Sequence, residues 1–383
     1  MATRFHSTSA RVNGKGDWQP GGASRLPRGV PPQPSKRLGS DQPAHHVSPA
    51  VIRAFHGPLV RWYHRHHREL PWRATHDPYK IWVSEIMLQQ TRVDVVRGYY
   101  RRWIRAFPTI PSLARVPYGR VLKLWEGLGY YSRARNFHLA AKLIVRDHRG
   151  KLPRAVDALM KLPGVGRYTA GAIASIAFGR RVPLVDGNVM RVFARVFGIR
   201  ADVTKPSTRE SCWVLAAEIL PSRDPGTFNQ ALMELGALIC TPSNPRCAVC
   251  PLRRVCLARA NGQQDDLPNR GRKHQPQPVT HDAAWIRRNG RILLRRRPAH
   301  GLLAGMWELP PLETARHRPP RPVLTLRHAI TNKRITLRVF ACKPSTAPTC
   351  NGRLRWASRT DLARLTLPAA HRRAVERLGW HRR

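Results

Sequence analysis

The sequence predicts a multi-domain protein: an all-α domain over residues 51–260, a linker over 261–279, and a smaller α+β domain over 280–383. Three observations carry this division. Between Val51 and Ala260 the apolar residues recur at spacings of three and four, the period of helices with one buried face. Beyond residue 280 the pattern changes to the two-residue alternation of half-buried strands, in AAWIRRNGRILLRRR, PVLTLRHAI and RITLRVFAC. Between the two lies QQDDLPNRGRKHQPQP, polar and proline-containing, as connecting segments are. No internal repeat is evident.

Residues 1–50 show neither period. Rich in Pro, Gly, Ser and Arg, they lack the apolar surface needed to offset chain entropy, and a disordered basic tail is expected. The helical domain follows with WVSEIMLQQT, VLKLWEGL, ARNFHLAAKLIV, YTAGAIASIAF, NVMRVFARVFG and FNQALMELGALIC. In the first of these, Glu85 follows a plausible cap, Ser84, among Trp82, Ile86 and Leu88, which read as buried. A carboxyl in apolar company has a raised pKa and can serve as a general acid.

Next, Leu162-Pro163-Gly164-Val165-Gly166 forms a tight glycine turn between the apolar runs VDALMKL and YTAGAIASIAF. Glycine lets backbone approach backbone, and the amides opening the second helix can hold a phosphate without reading sequence. An ordinary helical hairpin has the same outline. Twenty residues on, Asp186 stands at the start of the amphipathic helix VMRVFARVFG, where capping bonds and the helix dipole are expected to keep it ionised. That suits a group facing a developing cation, although most such Asp residues are only caps. With Glu85 it would complete the acid and anion that glycosidic cleavage requires.

Of seven cysteines, Cys240, Cys247, Cys250 and Cys256 crowd into a C-x6-C-x2-C-x5-C pattern, more like a metal site than a disulfide framework. Tetrahedral zinc and an iron–sulfur cluster both satisfy four thiolates. Sixty-eight Lys and Arg against 22 Asp and Glu leave a formal charge of +46, which favours a polyanionic partner such as nucleic acid. The basic stretches Arg4 to Arg37, Arg295 to Arg297 and His371 to Arg383 also read as solvated surface. No apolar run reaches the roughly 18 residues of a membrane span and no secretory core opens the chain, so a cytoplasmic protein, nucleoid-associated if it binds DNA, is expected; it is read as a monomer.

Taken together, the LPGVG turn, the Asp-capped helix and the cysteine spacing resemble the endonuclease III and MutY superfamily of helix-hairpin-helix DNA glycosylases. LPWR (Leu70 to Arg73), DPYKIWVSEIMLQQTR, GLGYYSRARN, LPGVGRYTAGAI, VDGNVMRV and FNQALMELGALICT are similar to the MutY branch, covering roughly Pro71 to Cys256. The resemblance implies a 4Fe-4S cluster on the four cysteines and duplex DNA as partner, held through Leu162, Gly164, Val165 and Gly166. It implies excision of adenine mispaired with 8-oxoguanine or guanine, with Glu85 as acid, Asp186 facing the sugar cation, Asn188 orienting and Tyr168 adding support. Tyr168 replaces the Schiff-base lysine of bifunctional relatives, which implies a monofunctional enzyme.

By the same resemblance, Gln90 and Tyr130 wedge beside the 8-oxoguanine with Thr91 and Leu128 nearby, while Arg73 and Gln230 contact the extruded adenine. Judged by residue type alone, Leu128 and Tyr130 read as core. Arg246, Arg253 and Arg254 on the cysteine loop are candidate phosphate contacts or a solvated loop. RRRPAHGLLAGMWELPPLE resembles the start of a Nudix-like 8-oxoguanine recognition domain. Only Glu308 and Glu313 stand where a Nudix hydrolase carries its glutamate-rich helix, which argues against nucleotide hydrolysis. Thr331 falls where the family reads the lesion with a hydroxyl, and Asn332 stands where a His is common. The competing readings are an endonuclease III-like glycosylase/lyase and a non-enzymatic iron–sulfur DNA-binding protein.

Overall fold

The computed structural model describes residues 47–271, 275–312, 321–330, 332–344 and 353–380. The expected basic tail, Glu313 and Thr331 lie outside the described residues, apart from the tail's last four positions. Those four already belong to the helical domain, because α1 (Pro49–His66) begins with Pro49 in its first turn behind Ser48, whose hydroxyl accepts from the Val51 amide.

There follow α2 (Pro78–Leu88), α3 (Val93–Ala106), α4 (Ile110–Arg115), α5 (Tyr118–Trp125), α6 (Ser132–His148) and α7 (Val156–Met160). Then come α8 (Arg167–Ala172), continued by a π turn over Ile173–Ala177, α9 (Gly187–Val196), α10 (Pro206–Ile219), α11 (Pro225–Leu238) and α12 (Leu257–Ala260). Two cores organise them. One gathers Trp82, Trp103, Trp125 and Phe137, with the Trp82 and Phe137 rings edge to face at 4.3 Å. The other gathers Phe55, Phe193 and Phe228 against α9, α10 and α11.

Helix α2 runs between them, giving Ile81 to the second core and Trp82 to the first. Residues 81–87 of α2 are therefore buried without a break, as a helix enclosed on all sides must be. Its cap is Asp77, which accepts from the amides of Tyr79 and Lys80. This corrects the sequence reading of Ser84, which lies mid-helix and donates to the Ile81 carbonyl at 2.7 Å.

Among the described residues the smaller domain is a six-stranded sheet of β1 (Gln277–Arg288), β2 (Arg291–Arg296), β3 (Trp307–Glu308), β4 (Leu324–Ile330), β5 (Lys333–Cys342) and β6 (Leu354–Ala357), with α13 (Arg359–Arg364) and α14 (Ala369–Arg377). Strand order is β3-β2-β1-β5-β4, β6 also pairs with β2, and β1 runs parallel to β5 from Gln277↔Lys333 to Ile286↔Cys342. Strand β1 thus starts three residues inside the expected linker. The rest of that linker is no free tether: Leu267 is buried and its carbonyl accepts from Arg195. The α14 side of the sheet packs Trp285, Leu337 and Val339 against Ala374, Val375 and Trp380. Among the described residues no helix is long and apolar enough to cross a membrane.

Candidate active site

Where α2, α8, α9 and α11 meet, a cavity of about 680 Å³ opens, and Glu85, Tyr168, Asp186 and Asn188 all line it. Glu85 reaches it from the enclosed α2 and is 5 % exposed. Burial pushes its carboxyl up to about 7, with the nearby Asp186 charge adding to the rise. The opposing influence is the Tyr168 hydroxyl, which donates to Glu85 Oε2 at 2.7 Å and favours the ionised form. The Tyr168 phenol is itself held well above its ordinary range by burial and the two carboxylates, so it remains a donor.

Asp186 caps α9. Its Oδ1 accepts from the Val189 amide at 2.7 Å and its Oδ2 from Asn188 Nδ2 at 2.9 Å. Burial raises its pKa, and these hydrogen bonds, which favour the ionised form as the cap was expected to, offset part of that rise. Asn188 is fixed on its other side, since its Oδ1 accepts from Arg191 Nη2 at 2.8 Å. Helix α11 closes the back of this seam through Gly236, where a Cβ would stand 2.6 Å from Asn188 Cβ. Arg191 also donates to the Gly236 and Cys240 carbonyls and locks α9, α11 and the cysteine loop together.

Arg73 and Gln230 line the same cavity, but Arg73 already has a partner. Its two terminal nitrogens donate to Glu234 at 2.8 and 2.7 Å, and Arg68 binds the same carboxylate at 2.6 Å. Burial alone would raise the Glu234 carboxyl, but the bonds from Arg73 and Arg68 outweigh it and hold the pKa down at about 2. Sequence reasoning missed Glu234, a lone charge in the apolar run FNQALMELGALIC, and it missed Arg68. Gln230 accepts from the Tyr63 hydroxyl at 3.3 Å.

The expected wedge residues occupy two adjoining loops. Gln90 is exposed with a left-handed φ of 56°, and Tyr130 is 42 % exposed at φ 45°. Leu128 is 5 % exposed and packs in the first core beside the Tyr130 loop. One side chain that sequence reasoning passed over ties the loops together. Buried Arg133 donates to the carbonyls of Ile86, Met87 and Gln89 on one side, and to those of Leu128 and Gly129 and the Thr91 hydroxyl on the other.

In the glycine turn, Gly164 has φ 79°. The Leu162 and Val165 amides donate to Leu159 and Leu162 carbonyls and both side chains are buried, leaving the amides of Gly164 and Gly166 as the candidates for an anion. The cysteines Cys240, Cys247, Cys250 and Cys256 face one small cavity, and Arg195 donates to Cys240 Sγ at 3.4 Å. Burial, reinforced by the other three sulfurs, pushes the Cys250 thiol up to about 12. Among the described residues no three such side chains form a group that could hold a single ion. Four half-buried cysteine sulfurs lining one cavity are a donor set of the kind an iron–sulfur cluster takes.

Residues 83–218 match the HhH-GPD superfamily of base excision DNA repair proteins, and residues 282–377 match the NUDIX domain. The chain is 34 % identical over 408 residues to the adenine DNA glycosylase of Mus musculus, covering 87 % of this chain and 79 % of that protein. It is 39 % identical over 315 residues to the adenine DNA glycosylase of Homo sapiens, covering 68 % of this chain but only 58 % of the human protein. Among solved structures, a thermostable thymine-DNA glycosylase is similar with a TM-score of 0.51 and 29 % identity, over 55 % of this chain and 98 % of that one. A likeness of this extent to the mouse protein, running through both domains, identifies the lineage: the chain belongs to the adenine DNA glycosylase family.

Proposed function

We propose that the chain is a monofunctional glycosylase that hydrolyses the N-glycosidic bond of adenine mispaired with 8-oxoguanine or guanine in duplex DNA. The observation that carries this reading is Glu85, a carboxyl poised near neutral pH on the same cavity as Asp186. Adenine is a poor leaving group as an anion. Glu85 gives its proton to adenine N7 as the N9–C1′ bond breaks, the bonding pair passes to the ring, and adenine departs neutral. The sugar then has oxocarbenium character, which the Asp186 carboxylate stabilises while Asn188 and the Val189 amide keep it aimed. Water adds to C1′ and returns a proton to Glu85, leaving an abasic site in an intact strand.

The cavity volume suits a base taken out of the helical stack, and unpairing costs less at a mispair. In this reading Arg73 and Gln230 meet the extruded adenine, while Gln90, Thr91, Leu128, Tyr130 and Thr331 act around the opposite base. The Gly164 and Gly166 amides and the exposed Arg246, Arg253 and Arg254 contact phosphates. Cys240, Cys247, Cys250 and Cys256 hold one 4Fe-4S cluster, whose bonds to sulfur would cross-link the loop that carries those arginines.

The test is scission of a duplex bearing one adenine opposite 8-oxoguanine, with and without alkali, beside duplexes bearing thymine opposite guanine and thymine glycol. Scission of the adenine strand only after alkali is expected. Scission without alkali, or preference for either thymine substrate, would overturn the reading.

A further inference from the structure

One carboxylate outside the catalytic cavity stands where the helical domain meets the sheet domain. Glu126 follows the last residue of α5 and immediately precedes the loop Gly127 to Tyr131. Its Oε1 accepts from Arg372 of α14, at 2.8 Å from Nε and 2.6 Å from Nη2, and from the Leu367 amide at 3.4 Å. Its Oε2 accepts from Lys123 at 2.6 Å. Lys123 and Arg372 also both donate to the Leu365 carbonyl, at 3.4 and 2.9 Å, so the approach to α14 is bracketed from both domains. The Glu126 and Arg372 side chains are only 19 % and 22 % exposed, which weakens the solvent screening that makes surface ion pairs ineffective.

The backbone of Glu126 is equally constrained. Its carbonyl accepts from the Tyr99 hydroxyl at 2.7 Å, and a Cβ on Gly127 would lie 2.3 Å from that same oxygen. The loop that presents Tyr130 therefore begins at a fixed point. On the opposite side, α14 is fixed within its own domain: His371 accepts from the Leu309 amide and faces the buried Glu308. Between the two fixed elements lies a cavity of about 430 Å³, to which the helical domain contributes Tyr130 and Arg135 and the sheet domain His328, Ile330 and Arg373.

We propose that Glu126 is a positioning residue for recognition of the base opposite the adenine. Through Arg372 it holds α14 in register with the Tyr130 loop, so that the two domains read that base together. The inference rests on the adenine-glycosylase reading above. Adenine excision chemistry lies elsewhere, so the ion pair governs preference for 8-oxoguanine over guanine and leaves the basal rate alone.

Single-turnover excision by the full-length holoenzyme, measured opposite 8-oxoguanine and opposite guanine, tests this. Glu126→Gln should keep the rate opposite guanine within about twofold while the preference for 8-oxoguanine falls about tenfold, a common size for coupling between sites. Arg372→Met, which leaves the loop untouched, should lose as much preference, and the double variant no more than either single. Unchanged preference in Arg372→Met, or equal loss on both substrates, would overturn the inference. A wild-type protein that fails to excise adenine would instead defeat the functional reading, and this inference with it.

Discussion

Two walls of one cavity carry buried glutamates driven in opposite directions. Glu85 is pushed up to about 7, and Glu234 is held at about 2. Both are nearly inaccessible, at 5 % and 1 % exposure, and both contend with desolvation. The difference lies in their company. Glu85 receives one neutral hydroxyl from Tyr168, whereas Glu234 receives charged bonds from two arginines. A few ångströms of local chemistry thus make one carboxyl a proton donor and the other a permanent anion that pins Arg68 and Arg73 to the rim.

The contrast breaks most severely at the acid. Glu85→Gln should lower single-turnover adenine excision about a thousandfold, the usual scale of general acid–base catalysis, with duplex binding retained. The same change should make the fold more stable in alkali. A carboxyl whose pKa rises on folding favours the native state below its ordinary value of 4.5 and loses that contribution as pH climbs through about 7. At pH 8 the variant should gain up to about 3 kcal/mol in denaturant unfolding. A parental protein at least as stable there would contradict the assigned environment.

The second wall should fail differently. Glu234→Gln leaves two guanidinium groups without their counter-charge and should destabilise the protein by about 3 kcal/mol at neutral pH. Because the Glu234 pKa is depressed, its contribution is present above 4.5 and lost as pH falls toward about 2, so parent and variant should converge in acid. Equal unfolding midpoints at pH 7 would show that the pair contributes nothing.

The smallest effect sharpens the comparison. Tyr168→Phe removes the hydrogen bond that lowers the Glu85 pKa, so the alkaline limb of the pH–rate profile should move to higher pH with only a few-fold change in maximal rate. A limb that stays in place would detach Tyr168 from the acid.

Much of this arrangement was legible because chain order carried it. The shift from helical to alternating period marks the two domains, and α9 begins at Asp186 as its cap geometry implied. What remained hidden depends on pairing across distance. Glu234 sits 161 residues from Arg73, inside a run whose apolar character speaks only of burial. Arg133 is one of 68 basic residues, and nothing local distinguishes an arginine that bonds five carbonyls from one in water. The upward push on the Asp186 carboxyl was hidden for the same reason: a sequence shows the cap but not the loss of solvent around it.

The contact of Gly236 with Asn188 has a consequence for inherited variation. Replacement of glycine by alanine is the gentlest change the genetic code allows at that position, and α11 would accept it without complaint to its own helical structure. The added methyl would instead displace the side chain that aims Asp186. Because the same methyl would also crowd the Asn188 backbone, 3.0 Å from its carbonyl oxygen, such variants should lose thermal stability together with excision, a lower melting temperature marking the lesion they leave unrepaired.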